Sequence, residues 1–432
     1  MRPSERAHAF LHDHGMHPDD LDLARELDRL RANLKSGLAG HATARDCQMQ
    51  PAYVTVERKP PLGRRVLALD AGGTNLRAAL VTFTPEGPRI EGLRTRPIPG
   101  LGAPVRRAQF LAEIARFAAP LAEQAEALGF CFSYQAEILP NGDGRVIQFS
   151  KEVVVPDGDG MLVCQELLDA FAGLGGKAPS SFALVNDTVA ALLGGCIGRQ
   201  DPADGQMGFI LGTGTNLCYV ADTAHLHRPL NGWTAPTMIV NVESGVYSGF
   251  PQGTFDRELD AESMSPGEYG NEKMVGGAYQ GEVLRRTLWG AASLFSATFQ
   301  ARLEQAGPLT AADLSTFAAD GQTDGALAAL CSCPEDREVL AVFADCLLER
   351  AARLVAVTLA GPMEEENMGR TAPTLVVAEG STFWKNPVLR HKIEVWTERF
   401  LHQQLGRRCT FVRTEHSNLT GAALAALQRH ST

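Results

Sequence analysis

No stretch of this sequence approaches the ~20 consecutive apolar residues that a membrane-spanning helix needs, so a helical membrane protein is excluded. Paired cysteines are missing as well. Nine are scattered along the chain, and Cys331-Ser332-Cys333 is too tight for a zinc knuckle and has no second pair to face. A disulfide-stapled or zinc-stapled scaffold is therefore not expected, and a reduced, cytoplasmic setting is. Lys and Arg form no cluster, and the formal net charge is −10, so no nucleic-acid-binding face is expected. The opening residues, "MRPSERAHAFLHDHG", are too polar for a signal-peptide core. Any phosphate chemistry must then be local, carried by loops and a metal rather than by a basic surface.

What is present is length and alternation. At 432 residues the chain exceeds one hydrophobic core, and about two lobes are expected. Residues 21–35 place Leu23, Leu27, Leu30 and Leu34 on one helical face, the pattern of a packing helix. Residues 66–83 read as two strands joined by a glycine turn, residues 106–128 as a helix, and "ALGFCFSY" and "FALVND" as strands ending in polar residues. Residues 207–220 are again strand, glycine turn, strand. Residues 282–360 are mostly helical with no obvious chemistry, and residues 374–381 form a strand ending in a Gly-Ser turn. "TGAALAALQRH" closes the chain as a helix. Strands alternating with helices argue an α/β class. "LALDAGGTNLRAALV" and "FILGTGTNLCYV" echo one another, which suggests two lobes of related design.

The first of these turns poses a chemical question. Asp70 is followed at once by Gly72, Gly73 and Thr74. Glycines let backbone N–H groups approach an anion, and successive N–H groups form an anion-binding concavity. An acid beside phosphate makes sense only with a cation between them, and Mg²⁺ suits that place. An ordinary Gly-Gly hairpin is the other reading. The second turn, Gly212-Thr213-Gly214, could hold the same polyphosphate from the opposite lobe. Asp187, at a strand end before a helix, is either a helix cap or a general base, with Asn186 beside it to fix a hydroxyl. Ser133, Ser150 and Lys151 fall in one region. Asn241 and Glu243 lie in a Gly-flanked loop, and Glu272 lies near a helix start. Such donor and acceptor sets suit a polyol ligand.

Taken in order, these segments resemble the hexokinase family, in the single-unit form of glucokinases and yeast-type hexokinases, from about residue 64 to 426. "LALDAGGTNLR" and "LGTGTNLCY" resemble its two phosphate motifs. "GFCFSY", "SKE", "NVESG" and "PGEYGNEKMVGGAYQGE" resemble its sugar-binding segments. "VNDTVA" resembles the segment with its catalytic aspartate, and "VVAEGS" its adenosine motif. The resemblance implies a two-lobed actin-like ATPase fold of the ribonuclease H type, with the sugar and ATP cleft between a small domain (64–187 plus helix 416–430) and a large domain (188–415 plus helix 18–40). It implies transfer of the γ-phosphate of MgATP to the 6-hydroxyl of a hexose: glucose first, then mannose or fructose. Asp187 would be the base. Ser133, Ser150, Lys151, Asn186, Asn216, Glu243 and Glu272 would bind the sugar, with Lys151 also catalytic. Gly72, Gly73, Thr74, Asn75, Arg77, Thr213 and Gly214 would bind the phosphates, with Asp70 holding Mg²⁺. Gly380 and Ser381 would lie near the nucleotide. A monomer or homodimer is expected.

The sequence departs from the family's pattern in three places. Tyr134-Gln135 stands where an aromatic and a proline usually follow the sugar-binding serine, which restores an N–H and leaves φ unfixed. Glu379 stands for a common aspartate, and Thr420 for a frequent arginine. Competing readings are weaker. The chain has no P-loop and no protein-kinase motifs. An acetate-type or glycerol-type kinase would not need the Ser133, Lys151, Glu243 and Glu272 set. A sugar sensor without turnover would not need Asp187, Asp70 and Lys151 intact.

Overall fold

The computed structural model describes residues 2–56, 59–149, 153–320 and 325–428. Two N-terminal helices, α1 (Pro3–Asp13) and α2 (Leu23–Leu38), precede the first sheet. That sheet contains β1 (Arg65–Ala71), β2 (Asn75–Thr84), β3 (Gly87–Pro97), β4 (Ala127–Phe132) and β5 (Ser181–Val185). Every residue of β4, and all of β1 after Arg65, is buried, as central strands covered on both faces require. The spatial order is β3-β2-β1-β4-β5. The first three strands are antiparallel, and β1–β4 and β4–β5 are parallel. A parallel return needs a crossover, which α3 (Arg107–Ala122) supplies. The helix expected over 106–128 stops at Ala122 because the apolar run from Ala127 is taken by pairing with β1.

The second sheet repeats this plan. It contains β6 (Gln206–Leu211), β7 (Thr215–Asp222), β8 (Thr237–Asn241), β9 (Thr374–Glu379) and β10 (Cys409–Val412), in the order β8-β7-β6-β9-β10. Again three strands are antiparallel and the last two pairings are parallel. A two-residue strand, Gln50–Pro51, extends its edge beside β8. The short echo in sequence is thus a whole five-stranded topology built twice. This is a two-lobed α/β fold of the actin-like, ribonuclease H type.

Between the sheets lie α4 (Asp187–Cys196) and α7 (Ser417–Gln428), a helix that is buried along nearly its whole length. α7 packs across α4, β1, β4 and β5, and α4 reaches β6, β7 and β9. Residues 429 and 430 of the closing helix lie outside the described residues. The larger lobe adds α5 (Gly270–Val275) and the long α6 (Pro334–Glu365), on which α1 and α2 pack. Leu27, Leu30 and Leu34 of α2 are buried there, while Leu23 sits at the rim.

The α4–α7 seam is too close for side chains. A Cβ on Gly421 would fall 1.8 Å from the carbonyl oxygen of Ala190, and one on Gly194 2.2 Å from that of Ser417. Both obstacles are backbone, so the helices would have to separate. Gly421→Ala should therefore lower stability by about 1–3 kcal/mol, the usual cost of overpacking. Denaturant unfolding of both proteins measures it, and an unchanged midpoint would show that the seam can open freely.

Candidate active site

The polar ends of β1, β4, β5, β6 and β9 meet where the two lobes face each other. The Ser133 N–H donates to the Ala71 carbonyl, joining the ends of β4 and β1, and Gly212 lies against Gly380, joining β6 and β9. Outside the carboxyl ends of such strands is where open α/β sheets hold ligands.

Asp70, near the end of β1, is 3% exposed. Its Oδ2 accepts from Arg77 Nη1 at 3.1 Å, the residue opposite it on β2. Its Oδ1 is buried and accepts no hydrogen bond of ordinary geometry; the Cys131 thiol on β4 lies beside it as a weak donor. Burial pushes the Asp70 carboxyl above the usual carboxylate range. Arg77 and the Cys131 thiol oppose that shift, and the charge of Asp187 adds to it. Glu379, at the end of β9, is also pushed up by burial. Ser417 Oγ, donating to it at 2.8 Å, pulls the other way, and Asp70 adds a smaller upward push. Hard oxygen ligands, mutual repulsion and one orphaned buried oxygen fit a divalent cation of the Mg²⁺ class.

The two glycine turns supply the N–H groups, though not all those expected. Gly72 spends its N–H on the Asn75 carbonyl, closing the hairpin, and its own carbonyl accepts from Tyr134 OH at 3.0 Å. Gly212 spends its N–H on Gly214. Among the described residues, the N–H groups of Gly73, Thr74, Thr213 and Gly214 make no hydrogen bond, so these four can cradle an anion. Packing does not demand glycine at position 72. A Cβ there would meet nothing nearer than 3.9 Å, so the open side is room for a ligand. Thr74, Asn75, Thr213 and Ser381 are exposed at the same mouth. Gly380, at φ +110°, sits against the Leu211 carbonyl.

Asp187 opens α4, but Asn186 is the cap: its side-chain oxygen accepts from the Thr188 N–H at 2.9 Å. Asp187 Oδ1 shares that N–H at 2.8 Å, and its Oδ2 makes no hydrogen bond among the described residues. Asn216 Nδ2 reaches Asn186 Oδ1 (3.4 Å), Asn241 Oδ1 (3.0 Å) and Glu243 Oε1 (3.3 Å). Asn241 Nδ2 also donates to Glu243 Oε1 at 2.6 Å. Glu243 has φ +55°, a left-handed conformation uncommon for such a residue, held by this amide cluster. Glu272, on α5, accepts from the Thr215 N–H at 3.1 Å, and its carboxylate fills the space a Cβ of Gly214 would need.

The chain matches two sequence models described as hexokinase, one over residues 12–197 and one over 206–428. Hexokinase-1 of Oryza sativa subsp. japonica is 29% identical over 94% of this chain and 87% of its own length. Hexokinase-5 of the same organism is 30% identical over 78% of this chain and 71% of its own. Among solved structures, a Schistosoma mansoni hexokinase complexed with glucose superposes with a TM-score of 0.79 at 23% identity, covering 99% of both chains. The chain belongs to the hexokinase family. It is a hexose kinase, and its two lobes are those of that family's fold.

Within this hexokinase site, most of the residues singled out in sequence stand together. Ser150 and Lys151 lie outside the described residues. Three readings change. The helix cap is Asn186 rather than Asp187. Gly72 contributes space rather than a donor. Gly214 is a glycine because Glu272 approaches it, although its N–H still faces the opening. Sequence reasoning named Asn241 but placed it in a loop, and it missed Thr188 and Tyr269. Asn241 ends β8 and orients both Asn216 and Glu243. Thr188 fixes Asp187. Tyr269, at φ +55°, accepts from Gln135 Nε2 at 2.5 Å, a bond between the lobes. Its phenol is pushed up to about 12 by burial, with Glu243 and Glu272 adding, so the hydroxyl keeps its proton.

A pH effect follows from Glu379. Its folded-state pKa is raised, so the stability of its neutral form is fully present below the unfolded pKa and is lost as pH rises through the folded one. Glu379→Gln stays neutral and can still accept from Ser417. The variant should melt at higher temperature than the parent at neutral pH, with the gap closing as pH falls through the carboxylate range. Parallel melting curves at all pH values would show that Glu379 ionises at no cost.

Proposed function

We propose that this hexose kinase transfers the γ-phosphoryl group of MgATP to the 6-hydroxyl of glucose, with Asp187 as general base. The observation that carries the reading is the state of Asp187. One carboxylate oxygen is pinned to Thr188 and the other has no partner among the described residues, one residue from the Asn186–Asn216–Asn241–Glu243 cluster. A positioned, unspent carboxylate beside a polyol-binding set is what abstraction of a sugar hydroxyl proton requires.

In this reading Glu243, Glu272, Asn186, Asn216 and Ser133 hold the sugar, joined by Ser150 and Lys151. The 6-hydroxyl donates to Asp187 Oδ2. Its oxygen attacks the γ-phosphorus as the carboxylate takes the proton, the bond to the bridging oxygen breaks, and ADP leaves. The N–H groups of Gly73, Thr74, Thr213 and Gly214 position the phosphates, with Gly380 and Ser381 near the rest of the nucleotide. Asp70 would hold Mg²⁺ directly or through water, and the bound ion offsets phosphate charge and aligns the oxygens. Arg77 offsets more. Phosphoryl transfer asks for little beyond positioning and charge stabilisation. Glucose is favoured because the motifs resemble those of glucose-using members, and the superposed Schistosoma mansoni enzyme was solved with glucose. All nine cysteines are free thiols, which supports a reduced, cytoplasmic setting.

ADP release, followed with glucose, mannose, fructose and glucosamine, tests the reaction and its substrate. Asp187→Ala should lower kcat by roughly 10²–10⁴-fold while sugar affinity falls much less. A kcat within a few-fold of the parent would leave Asp187 no role beyond sharing the Thr188 N–H.

Sugar preference has a structural handle in the bond between Gln135 and Tyr269, at the position where the family usually has proline. Tyr269→Phe removes the acceptor. Losing one neutral hydrogen bond of about 0.5–1.5 kcal/mol should raise the hexose KM roughly 2- to 10-fold. The ATP KM should hardly move. If the order of the four sugars is the same in Tyr269→Phe and in Gln135→Pro as in the parent, this contact does not set the preference.

A further inference from the structure

The mostly helical region that appeared to lack chemistry contains Cys346, on α6, and the sugar site makes no use of it. It is 4% exposed and faces the N-terminal segment. There it meets His8, on α1, and His17, which is 6% exposed and begins the short turn Pro18–Asp20. His8 Nδ1 is 3.0 Å from His17 Nε2 and 3.9 Å from Cys346 Sγ, and all three atoms lie within 4.8 Å of one another. Zinc binds imidazole nitrogen at about 2.0–2.1 Å and thiolate at about 2.3 Å, which sets neighbouring ligand atoms of a tetrahedron roughly 3.3–3.7 Å apart. Shifts of a few tenths of an ångström to about 1 Å would bring this triad to that spacing.

We propose that His8, His17 and Cys346 form a site for a borderline divalent cation of the Zn²⁺ class, fastening α1 to α6 away from the sugar cleft. The surroundings are prepared for it. His12 stacks on His17 with ring centres 3.7 Å apart and is itself held by Asp20 Oδ1 at 2.7 Å. Burial, with His12 and His8 nearby, pushes the His17 imidazole down, which keeps it neutral as a ligand must be. Asp19, Asp20, Asp345 and Glu349 place negative charge around the triad, partly offset by Arg353, paired with Asp19 and Glu349, and by Lys392, paired with Asp345 and Glu349. Burial pushes the Cys346 thiol up to about 12, so thiolate forms there only with a cation to meet it.

The protons balance as follows. In the free protein His17 Nδ1 accepts from the Asp19 N–H at 3.2 Å, so the neutral ring carries its proton on Nε2, shared with His8 Nδ1. On binding, Cys346 releases its proton to solvent and the His17 proton moves from Nε2 to Nδ1. The Asp19 N–H, which Nδ1 accepts in the free protein, must then turn aside, and Asp19 Oδ2, 3.8 Å from Nδ1 and outside hydrogen-bond range, can take the new N–H only after the ring moves toward it. The fourth position is left for water. Mg²⁺, which wants six oxygens, is a poor occupant, so the site is distinct in chemistry from that at Asp70.

The test is titration of the metal-stripped full chain with Co²⁺, without sugar or nucleotide. One equivalent should give the visible absorption of tetrahedral cobalt with a thiolate charge-transfer band, and Zn²⁺ should abolish both. Cys346→Ser should lose the charge-transfer band, while Cys331→Ser and Cys333→Ser keep it. His8→Ala changes an exposed ring, so it keeps the test open if the buried cysteine variant fails to fold. It should weaken Zn²⁺ binding roughly tenfold or more, at least the loss seen when even an outer partner of a metal ligand is removed. A parent protein with no band, a band that survives Cys346→Ser, or unaltered affinity in His8→Ala would each overturn the site and leave a simple histidine–histidine hydrogen bond.

Discussion

The arrangement depends on one electrostatic conflict. Asp70 is buried near the end of a central strand, feels the charge of Asp187, and is felt in turn by Glu379. Carboxylates in a shared, poorly solvated space resist ionising together. Among the described residues, Arg77 is the cation paired directly with Asp70, its side chain half exposed, and Arg413 acts on Glu379. The rest of the relief must come from what binds there. The N–H groups of two glycine turns are open at the same place, so a nucleotide can bring its cation with it. In the proposed function, the electrostatic strain of the unliganded protein and its affinity for a metal-bound phosphate are one property seen from two sides.

The duplicated five-stranded topology explains why the site is complete only when both lobes contribute. Each lobe places a hairpin turn at the same point of its sheet, between its first and second strands, and each turn offers two open N–H groups. The strand ends differ. The first lobe ends its parallel strands in Ser133 and in Asn186 with Asp187, and the second ends β9 in Glu379 and Gly380. α4 and α7 lie between the sheets in backbone-close contact, so movement of one lobe against the other must pass through that seam. The bond from Gln135 to Tyr269 links the lobes a second time, at the sugar side.

Much of this was legible from the sequence because it rests on local chemistry. A turn that needs glycine, a strand that needs unbroken apolar residues and a helix start that needs Asn or Asp all leave a mark within a few residues. The Asp70 turn, both hairpins and the position of Asp187 belong to that class. What escaped was set at long range. Which of Asn186 and Asp187 caps α4 depends on side-chain geometry that both residue types permit. The end of α3 depends on β1, a strand far behind it in sequence, claiming Ala127 onward. Tyr269 matters only through a partner that folding brings to it, and Asn241, although named in sequence, gains its hold on Asn216 and Glu243 only in the fold. The His8, His17 and Cys346 triad spans more than three hundred positions, and neither histidine nor cysteine has the paired spacing that would reveal it.

Gly214 shows how one residue can serve two purposes. Its N–H makes no hydrogen bond among the described residues, while the space of its missing side chain is filled by the Glu272 carboxylate. Glu272 also accepts from the N–H of Thr215, the next residue along. The proposed sugar carboxylate therefore braces the turn proposed to hold phosphate. When a sugar hydroxyl donates to Glu272, it competes for the oxygen that Thr215 holds, and the turn must answer. A partly buried carboxylate seated this close to the turn cannot shift without disturbing what packs against it. In the proposed function the two substrates are thus coupled through one glycine and one carboxylate, before any larger movement of the lobes is considered.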